Sequence, residues 1–317
     1  MSRAGKINRD SAVDNIRAVQ AFWDANPCGS RLSDEPERRG YFAEIESKRY
    51  AHESHIPEIA RFGDFEGKRV LEIGTGIGTD ALQFQKHGAQ CVGIDLTLAG
   101  QKLAKEQFSL VGHDSSLMVG NAEVLPLADG YFDHIYAFGV IHHSPSTEAI
   151  IDEMLRVLKP GGTFTVMIYN RSSINYYIEI MFLRKMLRRL LYPAFMPKFL
   201  SKLMRLDRDK LETHREMLLS RPNLAKQEWI SMNTDGPECP LAKVYNKDEA
   251  LKLFGKFSDV RTEVWFFDRS HWPFVGKLIP NSTAKWLGRR WGWHRVVYGR
   301  KPIVSLHKSA NERSTDL

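Results

Sequence analysis

The sequence predicts an α/β fold, a doubly wound and mostly parallel sheet with helices on both faces. Three observations carry this. A short apolar run, 69–73, leads into a turn with glycines at 74, 76 and 78, and a helix of about ten residues begins near Thr79. Short apolar strands and helical segments then alternate as far as residue 170, the pattern of parallel strands joined by right-handed crossovers. Proline and glycine punctuate the alternation, above all at Lys159-Pro-Gly-Gly162, where a helix is expected to stop.

Taken in order, residues 11–23 read as a helix, 26–30 (Asn-Pro-Cys-Gly-Ser) as a loop, and 41–62 as a second helix. In the turn that follows 69–73, glycines let the backbone bend sharply and approach a ligand without Cβ clashes. Free N–H groups at the start of the next helix face a polar or anionic group. A nucleotide-like cofactor fits such a turn. The spacing departs from the dinucleotide pattern G-x-G-x-x-G, because the third glycine position counted from Gly74 is Thr79 and Gly78 falls one place early. Glu72, two residues before the first glycine, is a poor neighbour for a pyrophosphate and a good one for an ammonium group. No P-loop lysine follows. The turn therefore suits a cofactor that lacks a pyrophosphate and carries an amine.

The strand at 90–94 ends in Asp95, about 20 residues beyond the turn, where an acid reaches ribose hydroxyls. A third strand, 116–119, precedes Gly120-Asn-Ala-Glu123. A fourth, 132–138, leads to Gly139-Val-Ile-His-His143. A helix over 147–158 and a fifth strand over 163–169 follow.

In this order, residues 66–170 resemble a class I S-adenosylmethionine-dependent methyltransferase, of the broad methyltransferase type 11 group that includes small-molecule and ubiquinone-type enzymes. The elements that carry the resemblance are the glycine turn, Asp95, Asn121-Ala122-Glu123, Phe132-Asp133 and the L-K-P-G-G turn. It implies an enzyme with a Rossmann-like sheet of seven strands, the last two at 258–267 and 294–298, and S-adenosyl-L-methionine as cofactor. It also implies residue roles. Glu72 with Gly74, Thr75, Gly76 and Gly78 would hold the methionine part. Asp95 would accept from both ribose hydroxyls, Leu96 would lie against adenine, and Gly139 would line the pocket. Asn121 stands where an aspartate is more usual; its side-chain oxygen would receive the adenine amino group, with the Ala122 N–H on a ring nitrogen.

For chemistry, His142 and His143 follow the fourth strand at the carboxyl edge of the sheet, where an imidazole can take a substrate proton. His143 is the first candidate for a base and His142 the second; the alternative is that the pair caps the loop. Tyr169 and Asn170, ending the fifth strand, are candidate substrate contacts. The organisation expected is an N-terminal helical lid (1–65), a cofactor-binding core (66–170), a helical substrate insert (171–245), the end of the core sheet (246–307) and a polar disordered tail (308–317). Trp23 and Tyr50, with Phe22, Tyr41, Phe42 and His55, are the lid side chains expected to shield the methyl group; simple packing on the sheet is the other reading.

Composition agrees with one enlarged domain: 317 residues, 43% hydrophobic and 26% charged. No apolar stretch approaches the ~18 residues of a membrane span, and the first residues lack the apolar core of a signal peptide. Three cysteines, at 28, 91 and 239, fit a reducing cytoplasm better than a disulfide framework. Charge is segregated. Residues 171–221 carry 12 basic and 5 acidic side chains and 277–317 carry 9 and 2, so each is +7, the same as the whole chain. The basic, apolar insert around 176–206 reads as a solvated helical cap, as a lid over a greasy substrate, or as a peripheral membrane contact. Nucleic acid is disfavoured despite a pI of 9.2, because no RNA-binding module or zinc-knuckle spacing is present. The function expected is methyl transfer to a small, hydrophobic or lipid-like acceptor at O, N, S or C, with no bound metal. Alternatives are an RNA-modifying enzyme, a thiol or metalloid methyltransferase using Cys28 and Cys239, and an inactive cofactor-binding scaffold, against which the intact Glu72, glycines and Asp95 argue.

Overall fold

A computed structural model describes residues 9–303 except 115, 237, 273 and 274; the tail expected at 308–317 lies outside the described residues. Three helices, α1 (Arg9–Ala25), α2 (Arg38–His52) and α3 (Ile56–Ala60), precede the sheet. The core then runs β1 (Arg69–Ile73), α4 (Thr79–Lys86), β2 (Gln90–Asp95), α5 (Leu98–Leu110), β3 (Ser116–Val119), β4 (Phe132–Phe138), α6 (Thr147–Val157) and β5 (Leu158–Asn170). A helical cap follows: a wide π-type helix at Asn175–Leu183, α7 (Arg184–Leu190), α8 (Met196–Met204), α9 (Arg208–Ser220) and α10 (Lys226–Thr234). The chain closes with β6 (Val244–Tyr245), α11 (Lys247–Leu253), β7 (Ser258–Trp265), α12 (Asn281–Trp291) and β8 (His294–Arg300).

The sheet order is β3-β2-β1-β4-β5-β8-β7. The first five strands are parallel, and β8 runs antiparallel to both β5 and β7. Chain order reverses between β1 and β4, which opens a crevice at their carboxyl ends, the place where ligands bind in such sheets. The central strands are apolar and covered on both faces: Leu71, Ile135, Phe164 and Val297 are buried in one core with Ile150, Met154 and Val157 of α6.

Four expectations change. The sheet has eight strands and not seven, because two-residue β6 pairs in parallel with the end of β5, Tyr169 against Val244; a strand so short leaves no periodicity to read. The helix expected over 41–62 is broken between His52 and Ile56. Pro57 sits in the first turn of α3, where its missing N–H costs nothing, whereas inside a continuous helix its ring would clash with the carbonyl of Glu53. Lys159-Pro-Gly-Gly162 is not a free turn but the start of β5, which pairs at Leu158, bulges, and resumes at Thr163; Gly161 at φ +78° absorbs the bulge. The continuous amphipathic stretch at 176–192 divides at Leu183 into π and α segments.

Candidate cofactor and acceptor site

The glycine turn is built for close approach. Gly74 has φ +79°, and a Cβ there would lie 2.1 Å from Val140 Cγ2. Gly76 has φ +54°, yet a Cβ there would meet nothing within 4 Å, because it faces the cavity. Gly78 is different: a Cβ would lie 2.9 Å from the Ala104 Cβ, so it is a packing glycine that brings α4 against α5. It does not line the cavity. That corrects its expected role, and the early third glycine is explained by helix packing.

Asp95 ends β2 beside this turn. Its Oδ2 accepts from the Gly76 N–H at 2.8 Å, and its Oδ1 accepts from the Thr97 N–H and Oγ1 at 2.8 and 2.6 Å. The carboxylate is thereby aimed before any ligand arrives. Thr75, Leu96, Asn121, Ala122 and Gly139 line the same cavity. Asn121 Oδ1 already accepts from the Glu123 N–H at 2.9 Å, which leaves one lone pair for a ligand.

Glu72 is buried on β1, and its Oε2 has no hydrogen-bond partner. Burial and the nearby Asp80 and Asp95 carboxylates push its pKa well above the carboxylate range, against the pull of Arg49. An orphaned buried acid facing a cavity is satisfied by an incoming ammonium group. Together with the open cradle at Gly76, this fits the methionine end of S-adenosylmethionine.

Arg49 was not foreseen. It reaches into the cavity from α2 and is the only lysine or arginine among the described residues that line it. Its Nε and Nη2 donate to Asp80 at 3.2 and 2.8 Å. Asp80, nearly fully buried, also accepts from the Tyr50 hydroxyl at 2.8 Å and the Tyr136 hydroxyl at 3.1 Å. Tyr50 is therefore a tether between α2 and α4 and not an acceptor contact. No pattern in the sequence marks this cluster, since its members come from α2, α4 and β4.

At the far end stands His143. Its Nδ1 lies 2.7 Å from the Leu241 carbonyl, which only accepts, so Nδ1 donates there and Nε2 is the ring nitrogen turned toward Asp235. Nε2 is 3.7 Å from Asp235 Oδ2, and neither atom has a hydrogen-bond partner. Asp235 Oδ1 accepts from the Tyr169 hydroxyl at 2.7 Å. Trp23 packs its ring edge-on to His143 at 5.2 Å. The loop bearing His143 is pinned by Glu123, which accepts from Ser144 Oγ at 2.5 Å and the Ser146 N–H at 3.0 Å.

Three acceptor-side expectations are corrected. His142 is fully buried against Tyr169, with ring centroids 4.0 Å apart, and burial drives its pKa well down, so it is a neutral core residue. Tyr169 is buried and acts through Asp235. Asn170 is consumed by the fold: its amide donates to the Gly292 carbonyl, and its oxygen accepts from Arg295 and the Ser172 N–H. Asp235 escaped the sequence reading because it is an ordinary acid 92 residues after His143.

Two sets of donor atoms lie within 4.8 Å of one another among the described residues: His143, Asp235 and Cys239, and Glu53, His55 and His294. In the first, Cys239 donates its S–H to the Leu241 carbonyl at 3.6 Å, and burial pushes its thiol up to about 12. In the second, His55 Nε2 and His294 Nδ1 bond each other at 2.9 Å. Neither set presents three free lone pairs to an ion. Cys28 lines the cavity mouth and is exposed there, yet desolvation by the neighbouring protein pushes its thiol up to about 11.

The cavity mouth opens, past Trp23, Pro27 and Cys28, into a second cavity of about 870 Å³. Leu187 and Leu191, Leu206 and Leu211, and Trp229 and Met232 wall it from the inner faces of the cap.

Residues 71–166 match the family model described as a methyltransferase domain. Fold, cavity and match agree on the class: the region around residues 71–166 is similar to the methyltransferase domain of class I S-adenosylmethionine-dependent enzymes. Similar curated proteins are phosphoethanolamine N-methyltransferase 2 of Caenorhabditis elegans, 32% identical over 38% of this chain and 28% of that protein. Another is phthiotriol/phenolphthiotriol dimycocerosates methyltransferase of Mycobacterium tuberculosis, 36% identical over 50% of this chain and 55% of that protein. The chain thus matches about half or less of these relatives' lengths. Among solved structures, geranyl diphosphate C-methyltransferase from Streptomyces coelicolor, in complex with Mg2+, geranyl diphosphate and S-adenosyl-L-homocysteine, shares the fold with TM-score 0.51 at 11% identity, over 90% of this chain and 98% of that one.

Proposed function

We propose that this protein transfers a methyl group from S-adenosylmethionine to a small, hydrophobic or lipid-like acceptor that carries a proton on its nucleophilic atom. One observation carries the reading. His143 Nε2 and Asp235 Oδ2, neither with a hydrogen-bond partner, lie 3.7 Å apart between the cofactor cavity that His143 lines and the leucine-walled groove that Asp235 lines. At 3.7 Å the two make no direct hydrogen bond, and in this reading an acceptor hydroxyl or amine bridges them.

The bound cofactor supplies an electrophilic methyl group. The protein's part is placement and proton transfer. Asp95, Glu72 and Arg49 hold the cofactor's ribose, ammonium and carboxylate; Trp23 and Cys28 close the mouth; the groove aligns the acceptor. His143 takes the proton, with its tautomer set by Leu241, and Asp235 steadies the imidazolium that forms. A positioned base contributes roughly 10²- to 10⁴-fold. In this reading α1 to α3 form the lid. The mycobacterial relative, whose name refers to dimycocerosates, supports an apolar acceptor. The raised thiols of Cys28 and Cys239 weigh against thiolate chemistry on a metalloid. Three free cysteines support a reducing, cytoplasmic setting.

The test is methyl-labelled S-adenosylmethionine incubated with lipid and RNA fractions of the host, with products identified by mass. Label in a lipid-soluble product, reduced at least a hundredfold by His143→Gln at unchanged cofactor affinity, is expected. Label in RNA alone overturns the acceptor class, and undiminished turnover by His143→Gln overturns the base.

A further inference from the structure

The helical cap has two apolar faces, and only one is covered. Its inner face packs on itself: Leu191, Leu200, Leu211 and Leu218 are buried together, with Leu187 and Met196 against them. The outer face leaves large apolar side chains in water. Phe182, Met186, Tyr192, Phe195, Phe199 and Leu203 are all between 48% and 65% exposed. From the N-cap of α8 onward, Phe195, Phe199 and Leu203 recur every four residues and so form one stripe, with Lys198 and Lys202 alongside. Exposed apolar patches of this extent mark an interaction surface.

Charge selects the occupant. Between 175 and 206 there are seven basic residues and a single acid, Glu179. Glu179 is buried and bonded to Arg184 and His271. Every exposed charge on this face is therefore positive, Lys185, Arg189, Lys198, Lys202 and Arg205 among them. Flexible aliphatic and aromatic side chains interleaved with lysine and arginine, and no exposed acid, match the boundary of an anionic bilayer. No helix among the described residues is long and apolar enough to cross a membrane, so the contact is interfacial.

We propose that the outer face of the 175–206 cap docks on an anionic membrane surface. The inner face of α7, with Leu191 and Leu206, walls the groove that reaches Cys28. Docking therefore sets the groove one helix away from the lipid. That consequence rests on the methyltransferase reading; the docking itself does not.

The experiment is sedimentation of the full-length protein with phosphatidylcholine vesicles, with and without phosphatidylglycerol, at low and high salt. The expected result is binding to the anionic vesicles only, weakened by salt. Phe195→Ser, Phe199→Ser, Leu203→Ser combined, and Lys185→Glu, Lys198→Glu, Lys202→Glu combined, are each expected to weaken binding at least about tenfold, roughly fivefold per cation. Both sets change exposed positions, and unchanged melting temperatures and cofactor affinity show that they fold. Wild-type protein left in the supernatant with anionic vesicles overturns the proposal, as does binding that both variants retain. A dimer seen by light scattering and lost in the aromatic variant, without vesicle binding, reassigns the face to self-association and also overturns it. RNA binding through this face without vesicle binding does the same. Loss of vesicle binding in variants that still methylate a soluble acceptor separates docking from catalysis.

Discussion

Asp80→Asn tests how the N-terminal helices are coupled to the cofactor turn. Asp80 is only 3% exposed and accepts from four donors, Arg49 Nε and Nη2, Tyr50 and Tyr136. An amide offers one acceptor oxygen and turns an NH2 toward groups that can all donate. Arg49 then keeps only Glu53, at 3.7 Å, as its anionic neighbour. Breaking a buried ion pair from one side costs about 3–5 kcal/mol; the remaining contact with Glu53 places the expected loss near ~3 kcal/mol. For a chain of this size that is a fall in melting temperature of roughly 4–5 °C. Arg49→Met removes the other partner and is expected to cost a similar amount. The double variant leaves only the more distant Glu53 without its cation, so its loss should match a single variant and not the sum. Urea unfolding supplies stabilities, and calorimetry with S-adenosylmethionine reports weaker binding wherever Arg49 is lost or misplaced. Additive losses in the double variant, or Asp80→Asn within about 1 kcal/mol of wild type, would refute the coupling.

The turn glycines should separate folding from binding. Gly74→Ala is expected to unfold or strongly destabilise the domain, since its Cβ collides with Val140. Gly76→Ala pays only about 1–2 kcal/mol for its left-handed backbone but should block the cofactor, as calorimetry on the folded variant will show. The two histidines should diverge as well: His142→Leu is expected to be neutral or stabilising by thermal melt, because neither ring nitrogen has a partner, whereas His143→Gln leaves stability and loses turnover. A third test uses pH. A hydrogen bond that His271 donates to Glu179 raises the histidine above its ordinary 6.5 despite burial. Burial opposes, but His271 and Arg184 hold Glu179 below its ordinary 4.5. A raised histidine stabilises fully below its unfolded value and loses that stability as pH climbs through the folded one. Melting temperature should therefore fall as pH rises past 6.5, and less steeply in His271→Gln; parallel curves contradict the linkage.

Much of the core was legible because its signals are local. Arg69–Ile73 reads as a strand from five consecutive residues, and Asp95 as the acid that ends the next one. Glu72 stood out because an acid inside an apolar strand is costly. The acceptor side was read less well. Asn170 and Tyr169 end a strand in the right place, but which way they point depends on β8 and α10, and both turned out to serve the fold. His142 and His143 look alike in sequence; one backbone carbonyl, Leu241, distinguishes them.

The sequence by itself determined the class of chemistry: strand, glycine turn and acid lie within 30 residues, where backbone geometry and side-chain type act together. Only the tertiary structure decided the rest. It brought Arg49 to Asp80, paired His143 with Asp235, and turned one face of the 175–206 helices inward and left the other bare. Those relations join residues tens of positions apart, and their energies come from burial and charge that exist only once distant segments have packed.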